Sequence, residues 1–324
     1  MLYPLIFKPI YKEKIWGGNA LEKYFNRSIP FENCGESWEI SGVQDNISVV
    51  ENGFLKGNNL QELIEVYMGD IVGEWVYKKF GIEFPLLIKF IDAKDILSLQ
   101  VHPGDEYARK KHKAYGKTEM WYVIDAEANS TIITGFKKKI DKQKLIKHLE
   151  ENTVIDVLNF EKVKPGDVFF IPSGRVHAIG KGVFLAEIQQ VSDITYRLYD
   201  WNRKDQNGNL RELHLDHALD VIDFEIPESY RTNYLLNKNT DNQLIYCEYF
   251  RTNLIDFDTV INKNKTFLDS FIIYMCLEGT FRLAYNNEEI VINKGQTVLV
   301  PAVIENFKLI PEKNVKVLEV FLDK

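Results

Sequence analysis

The apolar residues of this chain come mostly in short runs rich in Val, Ile, Phe and Tyr, each cut off by Gly, Asn, Asp or Pro. FPLLIKFIDA (84–93), ILSLQVH (96–102), EMWYVIDA (119–126), STIITGF (130–136), DVFFIP (167–172) and VFLAEIQQ (183–190) are of this kind. So are SFIIYMCL (270–277), TFRLAYN (280–286), EIVIN (289–293) and TVLVPA (297–302), further along the chain. Branched and aromatic side chains pack well on a pleated surface, and runs this short between turn formers read as strands. The chain is therefore expected to be mainly β. Helical spacing appears only in patches. They are 60–80, with Gly69 as the expected break between two short helices, 141–152, with Asp141 as N-cap, and 210–224.

With 324 residues the chain is long enough for two units, each with its own core. Polar and turn-forming residues collect in EIPESYRTNYLLNKNTDNQ (225–243), which places a boundary near 235: a first unit over 1–235 and a second over 236–324. The C-terminal unit reads as a faded copy of the N-terminal one. KPGDVFFIPSGRVH (164–177) aligns without gaps on NKGQTVLVPAVIEN (293–306), with Gly166 over Gly295, Pro172 over Pro301 and His177 over Asn306.

Four polar residues of the first unit have the chemistry of one divalent-metal site: Gln100, His102, Glu119 and His177. Gln100 and His102 are two apart in a strand-like run, so alternation puts both on one face, together with Ser98. Glu119 and His177 sit in equally strand-like surroundings, and three strands could bring the four to one ion. Imidazole nitrogen and carboxylate oxygen suit zinc, and a neutral amide as fourth ligand leaves a net positive charge for Lewis-acid work. The second unit has nothing like the Gln100 and His102 pair in SFIIYMCLEGTFRLAY (270–285) and is expected to bind no metal.

The net charge of −7 is spread without a basic stripe, which argues against nucleic acid as partner. No segment is long and apolar enough to span a bilayer, so no membrane partner is expected. Cys34, Cys247 and Cys276 are odd in number, widely spaced and without a CxxC pair, which fits a reducing, cytoplasmic setting. Oligomeric state has no signal in the sequence.

The spacing from Gly166 through Pro172 and Gly174 to His177 resembles the second cupin motif, and the tandem copy resembles a bicupin. SLQVHPGDEYA (98–108), GKTEMWYV (116–123), PSGRVHAIG (172–180) and AEIQQVSDITYRLYDWNR (186–203) resemble, in this order, the type I mannose-6-phosphate isomerases of the short bacterial form. KPIYKEKIWGG (8–18) and GESWEISG (35–42) extend the resemblance over nearly the whole chain. It implies two β-barrel or jelly-roll domains with a few short helices in the N-terminal half. It also implies one Zn2+ per chain and a sugar-phosphate substrate, with mannose 6-phosphate and fructose 6-phosphate interconverted by proton transfer between C1 and C2 through an enediolate. Gln100 stands where many cupins have a histidine, as it does in the isomerases.

The same resemblance nominates the rest of the pocket. Arg197 falls at the catalytic arginine, to stabilise the enediolate or orient the substrate. Lys117, sharing a strand face with Glu119, and Glu187 are both candidates for the proton shuttle, with Asp193 a weaker third. Ser98 and Lys89 are candidates for substrate binding; a lysine on an inner strand calls for an anion, and a phosphate would supply it. His112, His214 and His217 are discounted as ligands. Two other readings use the same scaffold: a redox-metal cupin enzyme, against which Gln100 counts, and a paralogue that binds a sugar phosphate without catalysis.

Overall fold

The computed structural model describes residues 1–204 and 208–324. Its strands form four sheets, two per unit. The first unit has a seven-stranded sheet ordered Arg231–Thr232, Val168–Ile171, Glu119–Ala126, Val183–Gln190, Leu86–Ala93, Cys34–Ser41 and Ile10–Gly18. Facing it is a five-stranded sheet of Tyr196–Tyr199, Leu99–Val101, His177–Ile179, Thr131–Phe136 and Leu158–Lys162. The second unit repeats the plan with six strands and four. Every strand pair within these sheets is antiparallel. Paired antiparallel sheets of this kind are the jelly-roll plan expected from the sequence.

The central strands of the large sheet are buried along their whole length. All eight residues of Cys34–Ser41, Leu86–Ala93 and Val183–Gln190 are buried, because the sheet is covered on both faces. Its outward residues, among them Leu86, Ile88, Phe90, Met120 and Ile188, join one continuous core with the second unit. Its inward apolar residues, Ile91, Trp121, Val123, Phe169 and Leu185, pack with Ile132 and Ile179 of the small sheet. The small sheet turns Leu99, Val101, Ile133 and Ala178 outward toward Leu145 and Ala218 of the helices Lys142–Glu150 and Leu215–Val221. Alternation thus leaves Ser98, Gln100 and His102 on the inner face.

The strand Leu5–Ile6 crosses over to pair with Thr297–Val300, with Leu5 opposite Leu299. That strand apart, the strands of the seven- and five-stranded sheets precede residue 235 and those of the other two sheets follow it. Helix positions differ in detail from the periodic patches. The 60–80 patch folds as three pieces, Leu60–Tyr67, Gly69–Val72 and Glu74–Phe80. The first break falls on Met68 rather than Gly69, and Gly73 at φ 98° makes the second. A Cβ on Gly73 would lie 2.3 Å from the Asp269 carbonyl oxygen, so close approach to the second unit requires glycine there. Asp269 then caps the third piece, accepting from the N–H groups of Glu74 and Trp75. Asp141 caps its helix as expected, accepting from Lys144 N–H at 2.8 Å. Of the 210–224 patch only Leu215–Val221 is helical.

Candidate metal centre and its cavity

His177 opens its strand directly opposite Gln100, and Gln100 is in turn opposite Arg197. Glu119 opens the strand Glu119–Ala126, and His102 follows the end of Leu99–Val101. Strand ends thus carry three of the four candidate ligands. Ligand atoms of His102, Glu119 and His177 lie within 4.8 Å of one another, and all three residues are buried.

The hydrogen bonds decide the tautomers. His102 Nδ1 lies 2.9 Å from the Ile194 carbonyl oxygen and His177 Nδ1 lies 2.8 Å from that of Arg175. A carbonyl only accepts, so each Nδ1 carries the proton and each Nε2 presents a lone pair. Those two Nε2 atoms are 3.1 Å apart. Burial pushes His177 down to about 3 and His102 well below its ordinary value, so both rings are neutral. Two facing lone pairs repel unless a cation lies between them or beside them. Glu119 adds oxygens 3.5 Å from each ring, and its Oε1 is buried without a hydrogen-bond partner. Burial and the neighbouring Glu187 push its carboxyl up, which a cation in the cluster would reverse. Two imidazole nitrogens and an orphaned carboxylate oxygen fit a divalent ion of the zinc class. Lys117 brings a positive charge to this point, its Nζ 3.1 Å from His102 Nε2 and in contact with Glu119 Oε2.

Beside the cluster opens a polar cavity of about 460 Å³, lined by Gln100, Lys117, Ser98, Lys89, Glu187, Asp193 and Arg197. All the residues expected to bind substrate or move protons therefore share one space. In the large sheet, Lys89, Glu187 and Trp121 face one another across three strands. Glu187 accepts from Trp121 Nε1 at 3.0 Å and lies 3.1 Å from Lys89 and 4.0 Å from Lys117. Burial pushes the Glu187 carboxyl up, but Lys117 and Lys89 outweigh it and hold it below its ordinary value. It is held as the carboxylate.

The anions that Lys89 requires come from the protein: Glu187, and Glu36 at 3.6 Å. Glu36 also pairs with Lys14 at 3.1 Å. Burial raises the Glu36 carboxyl, and Lys89 and Lys14 overcome that to hold it at about 2. Glu36, Lys12, Lys14, Trp16, Trp38 and Arg211 line the cavity too and were not singled out from sequence as pocket groups. A period-2 signal was present for most of them, since Lys12, Lys14 and Trp16, and Glu36 and Trp38, are spaced two apart in strands whose one face is inward. Arg211 had no such signal, because it lies in a loop.

The histidines discounted from sequence serve structural contacts. His112 Nε2 lies 2.6 Å from the Tyr196 hydroxyl, and His217 Nδ1 lies 3.0 Å from that of Tyr107. Among the described residues, His102, Glu119 and His177 form the one group of His, Cys, Asp and Glu side chains spaced to share a metal ion. The three cysteines are free thiols, and among the described residues no helix is long and apolar enough to cross a membrane.

Comparison with known proteins agrees with this geometry. Residues 5–140 match the family model described as phosphomannose isomerase type I, catalytic domain, and residues 239–315 match the mannose-6-phosphate isomerase cupin domain. The chain is 40% identical over 314 residues to mannose-6-phosphate isomerase ManA of Bacillus subtilis, covering 94% of this chain and 95% of that one. It is 36% identical over 309 residues to the mannose-6-phosphate isomerase of Streptococcus mutans, covering 95% of each. The crystal structure of a mannose 6-phosphate isomerase from Bacillus subtilis superposes with a TM-score of 0.89 at 35% identity, covering 99% of this chain and all of that one.

Proposed function

The chain belongs to the type I mannose-6-phosphate isomerase family, and on that premise we propose that it interconverts mannose 6-phosphate and fructose 6-phosphate. The observation that carries the reading is the pair of buried histidine lone pairs facing each other beside an orphaned carboxylate oxygen, next to a cavity with a glutamate held ionised. The metal is Zn2+, one per chain, held by Gln100, His102, Glu119 and His177 of the first unit (1–235), while the second (236–324) carries none. When bound, the ion acts as a Lewis acid toward the sugar oxygens on which enediolate charge develops.

The protein's own groups do the rest. Glu187 accepts the proton from one carbon and returns it to the other, with Trp121 and Lys89 fixing its orientation. Lys117, in contact with Glu119 and 4.0 Å from Glu187, supplies positive charge and a proton donor on the same side. Arg197 presents its guanidinium to the substrate and orients it in the cavity. Ser98 and Lys89 contact the substrate, Ser98 as a hydroxyl donor. Lys89, already carrying two carboxylates, suits a sugar hydroxyl better than a further anion. Three unpaired thiols, two of them buried, fit a cytoplasmic setting.

The test is to strip the protein with a chelator, reload it with zinc and assay fructose 6-phosphate formation from mannose 6-phosphate. Turnover restored by zinc is expected. A folded protein with one bound zinc and no turnover would sink the reading.

A further inference from the structure

A hexose 6-phosphate brings nearly two negative charges into the cavity, and on the isomerase reading, on which this proposal rests, one wall must receive them. Six cationic side chains line the space: Lys12, Lys14, Lys89, Lys117, Arg197 and Arg211. Lys14, Lys89 and Lys117 each have a glutamate carboxylate within 4.0 Å. Lys12 has no carboxylate within 4.0 Å among the described residues; the neutral Asn46 holds it over the Trp38 ring, and burial and the neighbouring Lys14 outweigh the attraction of Glu36 and Asp193 and lower its proton affinity. An anion arriving on this side meets carboxylates already in place.

The other side has the opposite imbalance. Arg197, Arg203 and Arg211 are served by one buried carboxylate, Asp200. Arg203 contacts it closely, whereas Arg211 stands 3.4 Å away, beyond the usual length of a charge-assisted hydrogen bond. Arg197 has no carboxylate within 4.0 Å among the described residues. Its Nη1 donates to the Glu212 carbonyl oxygen at 2.6 Å, and its Nε is buried without an acceptor. Burial and repulsion from Arg211 and Arg203 outweigh the attraction of Asp200 and the exposed Glu212, and loosen the proton of Arg197.

The backbone holds the two cavity arginines together. Arg197 N–H donates to His214 Nδ1 at 3.2 Å, and His214 N–H donates to the Arg197 carbonyl oxygen at 2.8 Å. The loop carrying Arg211 is thus tied to the strand that carries Arg197, and Ser98 faces the same cavity.

We propose that Arg211, with Arg197 and Ser98, anchors the phosphoryl group of the substrate, and that Arg211 sets the preference for phosphorylated over free hexose. A guanidinium held loosely by its carboxylate can turn toward phosphate oxygens and meet two of them with parallel N–H groups, which a lysine cannot do.

The experiment uses the zinc-loaded full chain and Arg211→Gln. KM for mannose 6-phosphate should rise at least tenfold with kcat within threefold, zinc content should stay the same, and inhibition by inorganic phosphate should weaken by a similar factor. The ratio of kcat/KM for mannose 6-phosphate over mannose should fall with it. Unchanged KM and phosphate inhibition, with or without a lower melting temperature, would overturn the proposal and leave Arg211 a structural partner of Asp200. The proposal fails equally if Lys12→Gln weakens phosphate inhibition and Arg211→Gln does not. Should glutamine disturb folding, Arg211→Lys keeps the charge and tests the bidentate geometry alone: KM raised threefold or more supports the proposal, and unchanged KM refutes it. Failure of the isomerase reading is separately visible, because the wild-type protein would then not turn over mannose 6-phosphate, while calorimetry of inorganic phosphate binding would still compare the wild type with Arg211→Gln.

Discussion

The two units build the same three-strand row and finish it differently. In the first, Lys89, Glu187 and Trp121 lie opposite one another; in the second, Asn253, Glu319 and Tyr274 hold the same register. His177 packs edge-on against Trp121, and Phe307 packs edge-on against Tyr274. Phe307 is opposite Lys263 as His177 is opposite Gln100, so Lys263 takes the place of Gln100, and Lys265, two residues on, that of His102. Ile272, opposite Val300 as Glu119 is opposite Ile171, takes the place of Glu119. Where the first unit gathers its four candidate metal ligands, the second has two lysines, an isoleucine and a phenylalanine.

The satisfaction of the buried groups differs accordingly. Glu319 accepts from Tyr274 at 2.7 Å and Asn253 at 2.8 Å and pairs with Lys263 at 2.7 Å, which also holds Asp241. Glu119 keeps a buried oxygen, Oε1, without a hydrogen bond. A buried polar group is normally paired, and a group left open marks a place where something else completes the network. The second unit closes its network around Glu319 with a lysine ammonium, and the first leaves Glu119 Oε1 open, where the proposed ion would complete it.

Making the first unit resemble the second should have the largest effect. Glu119→Ile, which installs the second unit's residue, should lower kcat/KM by about a thousandfold or more and abolish zinc binding, with far-ultraviolet circular dichroism unchanged. Glu187→Gln removes the proposed shuttle and leaves the candidate ligands, so zinc should stay bound while kcat falls about 10²–10⁴-fold. Both effects should be absent from the counterpart. Glu319→Gln should cost about 1.5–3 kcal/mol of stability by losing charge-assisted hydrogen bonds, read by denaturant unfolding, with kcat within twofold.

The smallest expected effect concerns pH. Burial pushes Lys265 down to about 7, only partly offset by Glu305, and its ammonium bonds to the carbonyl oxygens of Ser270 and Pro301. An unfolded lysine keeps its ordinary value near ~10.4. Between these values the unfolded chain binds the extra proton, so this group makes stability rise with pH from about 7 and level off near ~10.4. Lys265→Met should flatten that rise, measured as melting temperature against pH relative to the wild type.

The strand content and the jelly-roll plan were legible because period-2 alternation and turn residues are local signals. The candidate metal ligands were legible for the same reason: Gln100 and His102 share a face by spacing alone. What escaped depended on contacts between distant segments. The gapless alignment of 164–177 on 293–306 sets His177 over Asn306, yet Asn306 is exposed and Phe307 takes the inward place. One extra residue after Pro301 flips the face, which is invisible without the partner strand. Lys89 has the sequence signature of a buried cation awaiting a phosphate because Glu36 and Glu187 are far from it along the chain. Arg211 sits in a loop whose position is set by the two hydrogen bonds between His214 and the Arg197 backbone, and no periodicity reports that.

Metal stoichiometry tests the contrast between the units most directly. Equilibrium dialysis of the chelator-stripped protein against zinc, with the metal counted by mass spectrometry, should find one ion per chain in the wild type and in Glu319→Gln, and none in His177→Phe. Two ions per chain, or one retained by His177→Phe, would contradict the assignment of a single metal centre to the first unit.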